Sequence, residues 1–298
     1  MTDPRARLRI RCSGAVQGVG FRPTVHRIAT ELELTGFVVN DPDGVTIEVE
    51  GRKTTVSRFA DRLRSELPPL ARLDGFEVDS VAPQDSTEFA VVASREGPRA
   101  RALVPPDAAL CDDCRREMLD RADRRHHYPF TTCTNCGPRF TLVHHLPYDR
   151  AKTSMSCFPL CDGCRREYTD PADRRFHAEP VCCPDCGPRL WLTSADGSVL
   201  AEHADALAAA RVALGEGRVV AVKGLGGFQL ACRADMDGPV FELRRRKRRP
   251  TKPFAVMVGS LAEAGALVEL TGQDENLMRS ARSPIVLAPR RENAPLSD

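Results

Sequence analysis

The 298-residue sequence is poor in aromatic side chains, in net charge and in long apolar runs. Aromatic residues make up 5% of the chain, with a single Trp, and the formal net charge is +2. A charge this close to zero predicts no overall field for polyanions such as nucleic acids. No run of about 18 apolar residues is present, and the charged opening MTDPRARLRIRC lacks the apolar core of a secretory signal. We therefore expect a cytoplasmic protein of about two or three domains, without a membrane partner.

Cysteine, in contrast, is abundant, with 12 residues in the chain. Two segments, 111–140 and 161–190, align at a constant offset of 50 with 17 identities in 30 positions. Each segment reads Cys-x2-Cys, then 18 residues, then Cys-x2-Cys-Gly-Pro-Arg. The eight thiols of this repeat are Cys111, Cys114, Cys133, Cys136, Cys161, Cys164, Cys183 and Cys186.

Four thiols at this spacing favour a tetrahedral zinc site. A disulfide framework is the alternative, but a cytoplasmic chain keeps its thiols reduced. Four ligands leave no open coordination position, so we expect two structural Zn²⁺ ions. Pairing within each segment is the simplest arrangement, and spacing alone leaves open a swapped arrangement with the outer pairs together and the inner pairs together. Gly137 and Gly187 follow the second pairs, where backbone amides are expected to turn toward sulfur. Cys157 and Cys182 are either spare thiols or alternative ligands.

Residues 5–94 show the hydrophobic periodicity of one small α+β domain. Alternating strands and two amphipathic helices, at 24–34 and 55–67, give the order strand, helix, strand, strand, helix, strand. Asp-Pro-Asp-Gly at 41–44 predicts a hairpin between the two middle strands. This order predicts a ferredoxin-like split βαβ sandwich. Residues 95–108 are rich in Pro, Arg and Ala and are expected to form a linker.

The chemistry of this domain lies in CSGAVQGVGFRP, residues 12–23. Small residues between a strand and a helix let consecutive amide N–H groups converge on one point, which suits a phosphate group. Arg22, just inside the helix, can add a bidentate guanidinium. On spacing alone, a Gly-rich strand-to-helix turn without a ligand is an equally good interpretation.

AVQGVGFR strongly resembles the acylphosphatase signature, and GFVVN (36–40) resembles the second motif of that family. The resemblance implies that Arg22 and the amides of the preceding loop bind the phosphoryl group of an acyl or carbamoyl phosphate, and that Asn40 orients the attacking water. The loop residues are Val16, Gln17, Gly18, Val19, Gly20 and Phe21. Positioning and charge stabilisation are most of what such a reaction needs. Val39 and Pro23 depart from the pattern of simple acylphosphatases.

In this chain Arg22 is followed by Pro23 and a helix. This form of the motif is similar to the one in the acylphosphatase-like domain of the HypF family of [NiFe]-hydrogenase maturation carbamoyltransferases. The cysteine region, 109–191, resembles the same family in YPFTTCTNCGPRFT, LPYDRAKTSM, FPLC and EYTDPADRRFHAEPVCCPDCGPRL. This likeness goes well beyond cysteine spacing. It makes the resemblance specific to HypF rather than to acylphosphatases in general. The histidines of this region are expected to be surface or hydrogen-bonding groups, not ligands.

Residues 200–298 predict an α/β unit in which helices and strands alternate. A hairpin around Asp196-Gly197 precedes it. Helices are expected at 206–217, 236–249 and 260–270, and strands within 219–234 and at 253–258 and 283–289.

The run RRRKRRPTK, residues 244–252, is a local exception to the balanced charge. Charge alone favours a solvated helix end over an anion site, and the lack of interleaved aromatics makes nucleic acid the weaker partner. KRRPTKPFAVMV resembles the K-x-R-P motif of the YrdC-like fold, a double-stranded RNA binding fold class, in its carbamoyltransferase variant. The resemblance implies that Lys247, Arg249 and Lys252 contact a phosphate of ATP or of a carbamoyl-adenylate. Gln229 stands where that variant carries His.

The resemblance covers essentially the whole chain but only the front part of the HypF architecture. It implies an incomplete YrdC-like domain with an unpaired sheet edge. It also implies that carbamoyl phosphate is hydrolysed, that carbamate is adenylated with ATP, and that the carbamoyl group passes to the C-terminal cysteine of HypE, with only the first step expected from this chain. Two rivals are a non-enzymatic zinc module that contacts RNA or protein and a stand-alone acylphosphatase with an inert tail. The phosphate-loop motif with Asn40 argues against the first, and the cysteine region argues against the second.

Overall fold

The structure is a computed structural model that describes residues 3–97 and 102–297. Residues 98–101, inside the predicted linker, lie outside the described part. The chain divides into two compact units, Met1–Pro188 and Arg189–Asp298. The acylphosphatase-like region and the cysteine region therefore belong to one unit. The exact domain boundaries given above stay predictions.

The first unit opens with a five-stranded sheet covered by two helices. The elements are β1 (Arg5–Ala15), α1 (Phe21–Glu31), β2 (Thr35–Asp41), β3 (Gly44–Arg52), α2 (Lys53–Ser65), β4 (Arg72–Val81) and β5 (Phe89–Val91). The strand order is β4-β1-β3-β2-β5, with β5 parallel to β2 and the other pairs antiparallel. The first four strands and two helices confirm the predicted ferredoxin-like fold. Both helices begin two or three residues earlier than their periodicity predicts.

The apolar core of this domain lies between the sheet and the two helices. Ile10, Ile28, Ile47, Phe59 and Leu63 are fully buried in it. They come from β1, α1, β3 and α2, so each predicted amphipathic element faces the core that its periodicity requires.

The opposite face of β3 carries buried charges instead of apolar side chains. The guanidinium of Arg7 lies 2.7 Å from a carboxylate oxygen of Glu48 and 2.7 Å from one of Glu50. The backbone amides of Gln84 and Asp85 also donate to Glu50, at 2.8 and 3.0 Å. This network satisfies the carboxylate of Glu50 in a site that water does not reach.

The cysteine region has little regular structure. Its two α-helices, α3 (Asp112–Leu119) and α4 (Asp162–Thr169), keep the sequence offset of 50, and two short 3-10 helices lie at Arg150–Lys152 and Ser154–Cys157. Its buried apolar clusters are small, and cysteines contribute to each of them. A segment with so little apolar core depends on cross-links or bound metal for its stability.

The second unit contains two separate two-stranded sheets and four helices among its described residues. The elements are β6 (Trp191–Thr193), β7 (Val199–Glu202), α5 (His203–Gly215), β8 (Val220–Lys223), β9 (Phe228–Ala231), α6 (Asp237–Lys247), α7 (Leu261–Leu267) and α8 (Gly272–Arg279). The hairpins β6–β7 and β8–β9 confirm the predicted hairpin and the strand–glycine turn–strand segment.

Two strand predictions in this unit are wrong. Residues 253–258 and 283–289 are not strands in the structure. Their side chains include Met257 and Leu287, which are 93% and 86% exposed. Apolar β-prone segments become strands only where a neighbouring strand satisfies their backbone groups, and neither segment pairs with a described strand. The prediction also missed α8, which begins with a Thr271–Asp274 capping box.

Candidate active site and metal centres

The predicted phosphate loop connects β1 to α1. Gly18 and Gly20 have left-handed backbones with φ of 68° and 78°, a conformation that other residues rarely adopt. Gly20 caps α1, so Arg22 and Pro23 fall in its first turn. A proline is tolerated there because its missing N–H has no partner within the helix. Turns of this kind and helix N-termini present backbone N–H groups to anions.

Gln17 fastens the loop to two other parts of the unit. Its side-chain nitrogen donates to the backbone carbonyls of Asp41 and Gly44, both at 2.7 Å. Its side-chain oxygen accepts from the backbone N–H of Tyr148, at 2.9 Å. The Gln17 side chain is thus fully engaged, which leaves only its backbone amide for the predicted contact with a phosphoryl group.

The cysteine region covers the phosphate loop. A Cβ added to Gly18 would lie 2.8 Å from Cδ1 of the buried Tyr148 ring. A Cβ on Gly20 would lie 3.2 Å from Cβ of Thr134. Arg139 donates from Nε to the carbonyl of Gly18. Gly18 is therefore required by close approach as well as by its left-handed backbone, whereas Gly20 is required mainly by its left-handed backbone.

Arg22 is buried and paired with carboxylates of the cysteine region. Its Nη2 donates to Oε1 of Glu179 at 2.9 Å and lies 3.4 Å from Oδ1 of Asp149. Glu179 also accepts from the Tyr168 hydroxyl at 2.8 Å and from the Arg150 N–H at 2.9 Å. Burial raises the pKa of Glu179, and Arg22 opposes that rise. Both contacts of Arg22 use Nη2, so its Nε and Nη1 are not engaged by either carboxylate.

Asn40 lies on β2 and is fully buried. Neither Oδ1 nor Nδ2 of its side chain has a hydrogen-bond partner in the structure. Buried amide groups are almost always satisfied, because leaving one unpaired costs about 1–3 kcal/mol. An unsatisfied donor and acceptor on one side chain are suited to a water or ligand that binds there.

Arg22 opens onto a cavity of about 620 Å³ between the first domain and the cysteine region. Arg22 and residues 91–94 line the cavity from the first domain. The lining from the cysteine region consists of Asp149, Arg150, Ala151, Ser156, Phe158, Pro159, Leu160, Arg165, Tyr168 and His177. Burial, followed by the nearby charge of Arg22, lowers the pKa of His177 to about 4, so this ring is neutral at pH 7. Among the described residues, Asn40 is not part of this lining.

Three residues of this site were not predicted: Tyr148, Asp149 and Glu179. The first two belong to LPYDRAKTSM, which was used only for the family resemblance. Glu179 lies in the stretch 178–182, where none of the five residues matches the equivalent stretch 128–132. The repeat therefore gave no signal that would have identified it.

The eight predicted thiols form two four-cysteine clusters, and the pairing is within each repeat. The four Sγ atoms of each cluster lie within 4.8 Å of one another. Neighbouring sulfurs are 3.7 and 3.8 Å apart in both clusters. A tetrahedral ion at about 2.3 Å from each sulfur would place the sulfurs about 3.8 Å apart, so both clusters fit zinc. The swapped pairing does not occur.

The glycines after the second cysteine pairs have two different reasons to be glycine. Gly137 has a left-handed backbone with φ of 87°. Gly187 is not among the residues of positive φ, but a Cβ there would collide with the Tyr128 hydroxyl and with Cys182. The expectation of a conformational role therefore holds for the first glycine, and close packing explains the second.

The two repeats exchange arginine contacts: arginines of each repeat donate hydrogen bonds to residues of the other. Arg124 of the first repeat donates to Sγ of Cys164 at 2.9 Å, and Arg125 donates to Glu167 and to the carbonyl of Cys182, each at 2.9 Å. Cys164, Cys182 and Glu167 all belong to the second repeat.

Arginines of the second repeat make the equivalent contacts with the first repeat, at an offset of 50. Arg174 donates to Sγ of Cys114 at 3.2 Å, and Arg175 donates to the carbonyl of Thr132 at 3.1 Å and pairs with Glu117. Each thiolate cluster is thus surrounded by cations of the other repeat. Such partners orient metal ligands and compensate their negative charge.

The remaining cysteines and histidines of the region lie outside the clusters. Cys182 is buried and donates to the carbonyl of Phe130 at 3.4 Å, and Cys157 is exposed. His127 and His177 share a left-handed backbone, with φ of 56° and 51°. Their backbone amides close equivalent turns, because each donates to a carbonyl of the preceding helix. This is the shared structural role that their repeat positions indicate.

The predicted nucleotide-binding residues lie at the end of α6 and just beyond it. Lys247 and Lys252 are exposed. Arg249 donates to the carbonyls of Lys252 and Pro253, at 3.2 and 2.6 Å. Its guanidinium therefore stabilises the turn after α6. Gln229 is exposed on β9, opposite Val222.

Comparison with known proteins assigns each region. A family model described as Acylphosphatase matches residues 8–91, one described as HypF finger matches 110–143 and 160–193, and one described as Telomere recombination matches 212–298. These matches define a chain that joins an acylphosphatase-type domain to two HypF fingers and a segment of the Sua5–YciO–YrdC type.

Over almost its whole length the chain is similar to HypF-type carbamoyltransferases. It is 50% identical over 292 residues to carbamoyltransferase HypF2 of Cupriavidus necator, which covers 97% of this chain and 36% of that protein. A crystal structure of full-length HypF in the phosphate- and nucleotide-bound form matches with a TM-score of 0.91 and 41% identity, over 100% of this chain and 39% of that one. T. kodakarensis HypF matches with a TM-score of 0.87 and 43% identity, over 98% and 37%. The chain thus spans less than two fifths of the length of these relatives.

The first domain also has a relative of its own. The acylphosphatase of Archaeoglobus fulgidus is 42% identical over 85 residues, which are 28% of this chain and 94% of that protein. These findings confirm the predicted resemblance and fold class. Among the described residues, no helix combines the length and apolar character needed to cross a membrane.

Proposed function

We propose that this chain carries the carbamoyl phosphate-hydrolysing site of a HypF-type carbamoyltransferase. Water attacks phosphorus, the bond from phosphorus to the anhydride oxygen breaks, and carbamate, hydrogen phosphate and a proton are released. Arg22 and the loop amides from Val16 to Phe21 hold the phosphoryl oxygens. Asn40 orients the attacking water. The protein supplies position and charge, which this reaction chiefly requires.

The observation that carries the proposal is the unsatisfied side chain of Asn40 on the strand that follows the phosphate loop and α1. A fully buried amide with two unpaired polar atoms destabilises the free protein unless something binds it. A purely binding zinc module has no use for such a residue. It would also have no use for a buried arginine that opens onto a cavity.

Two Zn²⁺ ions are proposed in the four-cysteine clusters, with a structural role. The sulfur spacing fits tetrahedral zinc, and four protein ligands leave no position for substrate. The ions would hold together a region with little apolar core. That region contributes Glu179, Asp149 and Tyr148 to the phosphate site, so its folding supports the proposed chemistry.

For the complete protein we propose the further steps that the family resemblance implies. Carbamate would react with ATP to give carbamoyl-adenylate, and the carbamoyl group would pass to the C-terminal cysteine of HypE. Lys247, Arg249 and Lys252 would face phosphate groups, and Arg249 would then exchange its contacts within the turn for contacts with the nucleotide. A cytoplasmic location fits twelve cysteines that form no disulfide, eight of them in the proposed zinc sites.

The test is phosphate release from carbamoyl phosphate, measured above the spontaneous rate, for the wild type and for Arg22→Ala and Asn40→Ala. Each substitution should lower kcat/KM at least about 100-fold, because each removes a group that stabilises or orients the transition state. Asn40→Ala is the cleaner variant, since it breaks no hydrogen bond or ion pair between protein groups in the structure.

The matched control is Asp43→Asn, an exposed position in the turn after β2. It should keep wild-type activity. Zinc content and thermal unfolding of all variants establish that they are folded. Wild-type rates in a folded Arg22→Ala or Asn40→Ala protein would overturn the site assignment.

A further inference from the structure

A site for carbamoyl phosphate must tell this substrate from other acyl phosphates. The phosphoryl groups of carbamoyl phosphate and acetyl phosphate are alike, so Arg22 and the loop amides cannot discriminate between them. The difference is an NH₂ group in place of a methyl group. Recognition of NH₂ requires a hydrogen-bond acceptor close to the place where the phosphoryl group binds.

Asp149 is an acceptor in the required place. Its carboxylate lines the cavity onto which Arg22 opens, and its Oδ1 lies 3.4 Å from Nη2 of Arg22. Oδ1 also accepts from the Ser94 hydroxyl at 2.9 Å. The side chain is 28% exposed, so a molecule in the cavity can reach it.

The backbone on both sides of Asp149 is fixed. The N–H of Tyr148 donates to the Gln17 side chain of the phosphate loop at 2.9 Å. The N–H of Arg150 donates to Glu179, the partner of Arg22, also at 2.9 Å. Both elements of the phosphate site thus set the position of Asp149, which is the preorganisation that a specificity group needs.

A carboxylate in this position has a cost. It repels the negatively charged phosphoryl group, and Arg22 already faces the carboxylate of Glu179. An acid beside an anion site is useful where the substrate also brings hydrogen-bond donors. Carbamoyl phosphate brings two N–H donors, and acetyl phosphate brings none.

We propose that Asp149 accepts a hydrogen bond from the carbamoyl NH₂ and is the residue that selects carbamoyl phosphate over other acyl phosphates. This inference rests on the proposed hydrolysis at Arg22. It assigns the selecting group to the cysteine region and not to the acylphosphatase-like domain.

The test compares kcat/KM for carbamoyl phosphate and acetyl phosphate in the wild type, Asp149→Ala and Asp149→Asn. Asp149→Ala should lose about 10- to 100-fold on carbamoyl phosphate, the size of a hydrogen bond to a charged group, and should keep or gain activity on acetyl phosphate. Asp149→Asn keeps an acceptor oxygen and should fall between the two. Glu96→Gln, an 81% exposed carboxylate that pairs with Lys152, is the matched control and should keep the wild-type ratio.

The outcomes separate the two proposals. An equal loss on both substrates would make Asp149 a positioning residue for Arg22 and would overturn the inference. An unchanged kcat/KM for both substrates in Asp149→Ala would also overturn it, while the proposed hydrolysis by the wild type would still stand. A folded, zinc-loaded wild type that hydrolyses neither substrate would overturn the proposed function and this inference together.

Discussion

The exchange of arginines between the repeats predicts that each repeat controls the metal of the other. Arg125 is 1% exposed in its side chain and Arg175 is 4% exposed. Each pairs with a glutamate on the helix that begins between the other cluster's first two cysteines. Removing one partner of a buried ion pair costs about 3–5 kcal/mol. Loss of a group that orients metal ligands typically weakens metal binding by about 10- to 100-fold.

Arg125→Ala should therefore weaken zinc binding at the second cluster, although residue 125 lies in the first repeat. Arg175→Ala should weaken zinc binding at the first cluster. Competition with a chromophoric chelator gives the affinity of each site. Alkylation of the released thiols, followed by mass spectrometry, identifies the cluster that has opened. The two variants are independent repeats of one experiment, because the contacts of Arg125 with Glu167 and Cys182 recur as the contacts of Arg175 with Glu117 and Thr132.

The control is Arg115→Ala, an exposed arginine on α3 that should leave both sites unchanged. The reasoning is refuted if Arg125→Ala opens the first cluster, or if both variants hold two zinc ions as tightly as the wild type. Either result would mean that each repeat folds around its own metal without help from the other.

Two further predictions concern stability. Gly18→Ala should destabilise the fold by about 1–3 kcal/mol and abolish phosphate release, because residue 18 has a left-handed backbone and the added Cβ would meet the buried Tyr148 ring. Thermal unfolding measures the first effect and the phosphate assay measures the second. A variant with wild-type stability and rate would contradict this packing. Burial would raise the pKa of Glu50, but hydrogen bonds from Gln84 and Arg7 outweigh it and hold the pKa at about 2, below its ordinary 4.5. Because the folded-state pKa is lowered, this stabilisation is present above about pH 4.5 and is lost as pH falls toward 2. Urea unfolding across that range should show a steeper loss of stability for the wild type than for Glu50→Gln, and equal slopes would contradict the assignment.

The parts of the fold that could be predicted from sequence are those whose signals are local. In the first domain the apolar periodicity of each helix predicts that helix, and the Asp-Pro-Asp-Gly turn at 41–44 predicts the hairpin. The cysteine spacing likewise indicated two four-thiol sites. Residues 253–258 have an equally clear local preference, but a strand also needs a partner. The sequence pattern does not contain that partner.

The residues of the candidate site also divide into those with a local sequence signal and those without one. Arg22 and Asn40 belong to short motifs that can be recognised in isolation. Glu179 contacts Arg22 across 157 positions of sequence, and Gln17 meets Tyr148 across 131. No periodicity or spacing connects residues so far apart. Only the packing of the cysteine region against the first domain brings them together.

Because of that packing, the match to acylphosphatases accounts for only part of the candidate site. The Archaeoglobus fulgidus acylphosphatase matches 85 residues of this chain with 94% of its own length, and the acylphosphatase family model ends at residue 91. Tyr148, Asp149 and Glu179 lie beyond residue 91, in the cysteine region that contacts Arg22 and the phosphate loop. On the function proposed above, a difference in substrate preference between the two proteins would come chiefly from these residues. Metal bound in the four-cysteine clusters would fold the segment that carries them, and would therefore affect which substrates the site accepts as well as its stability.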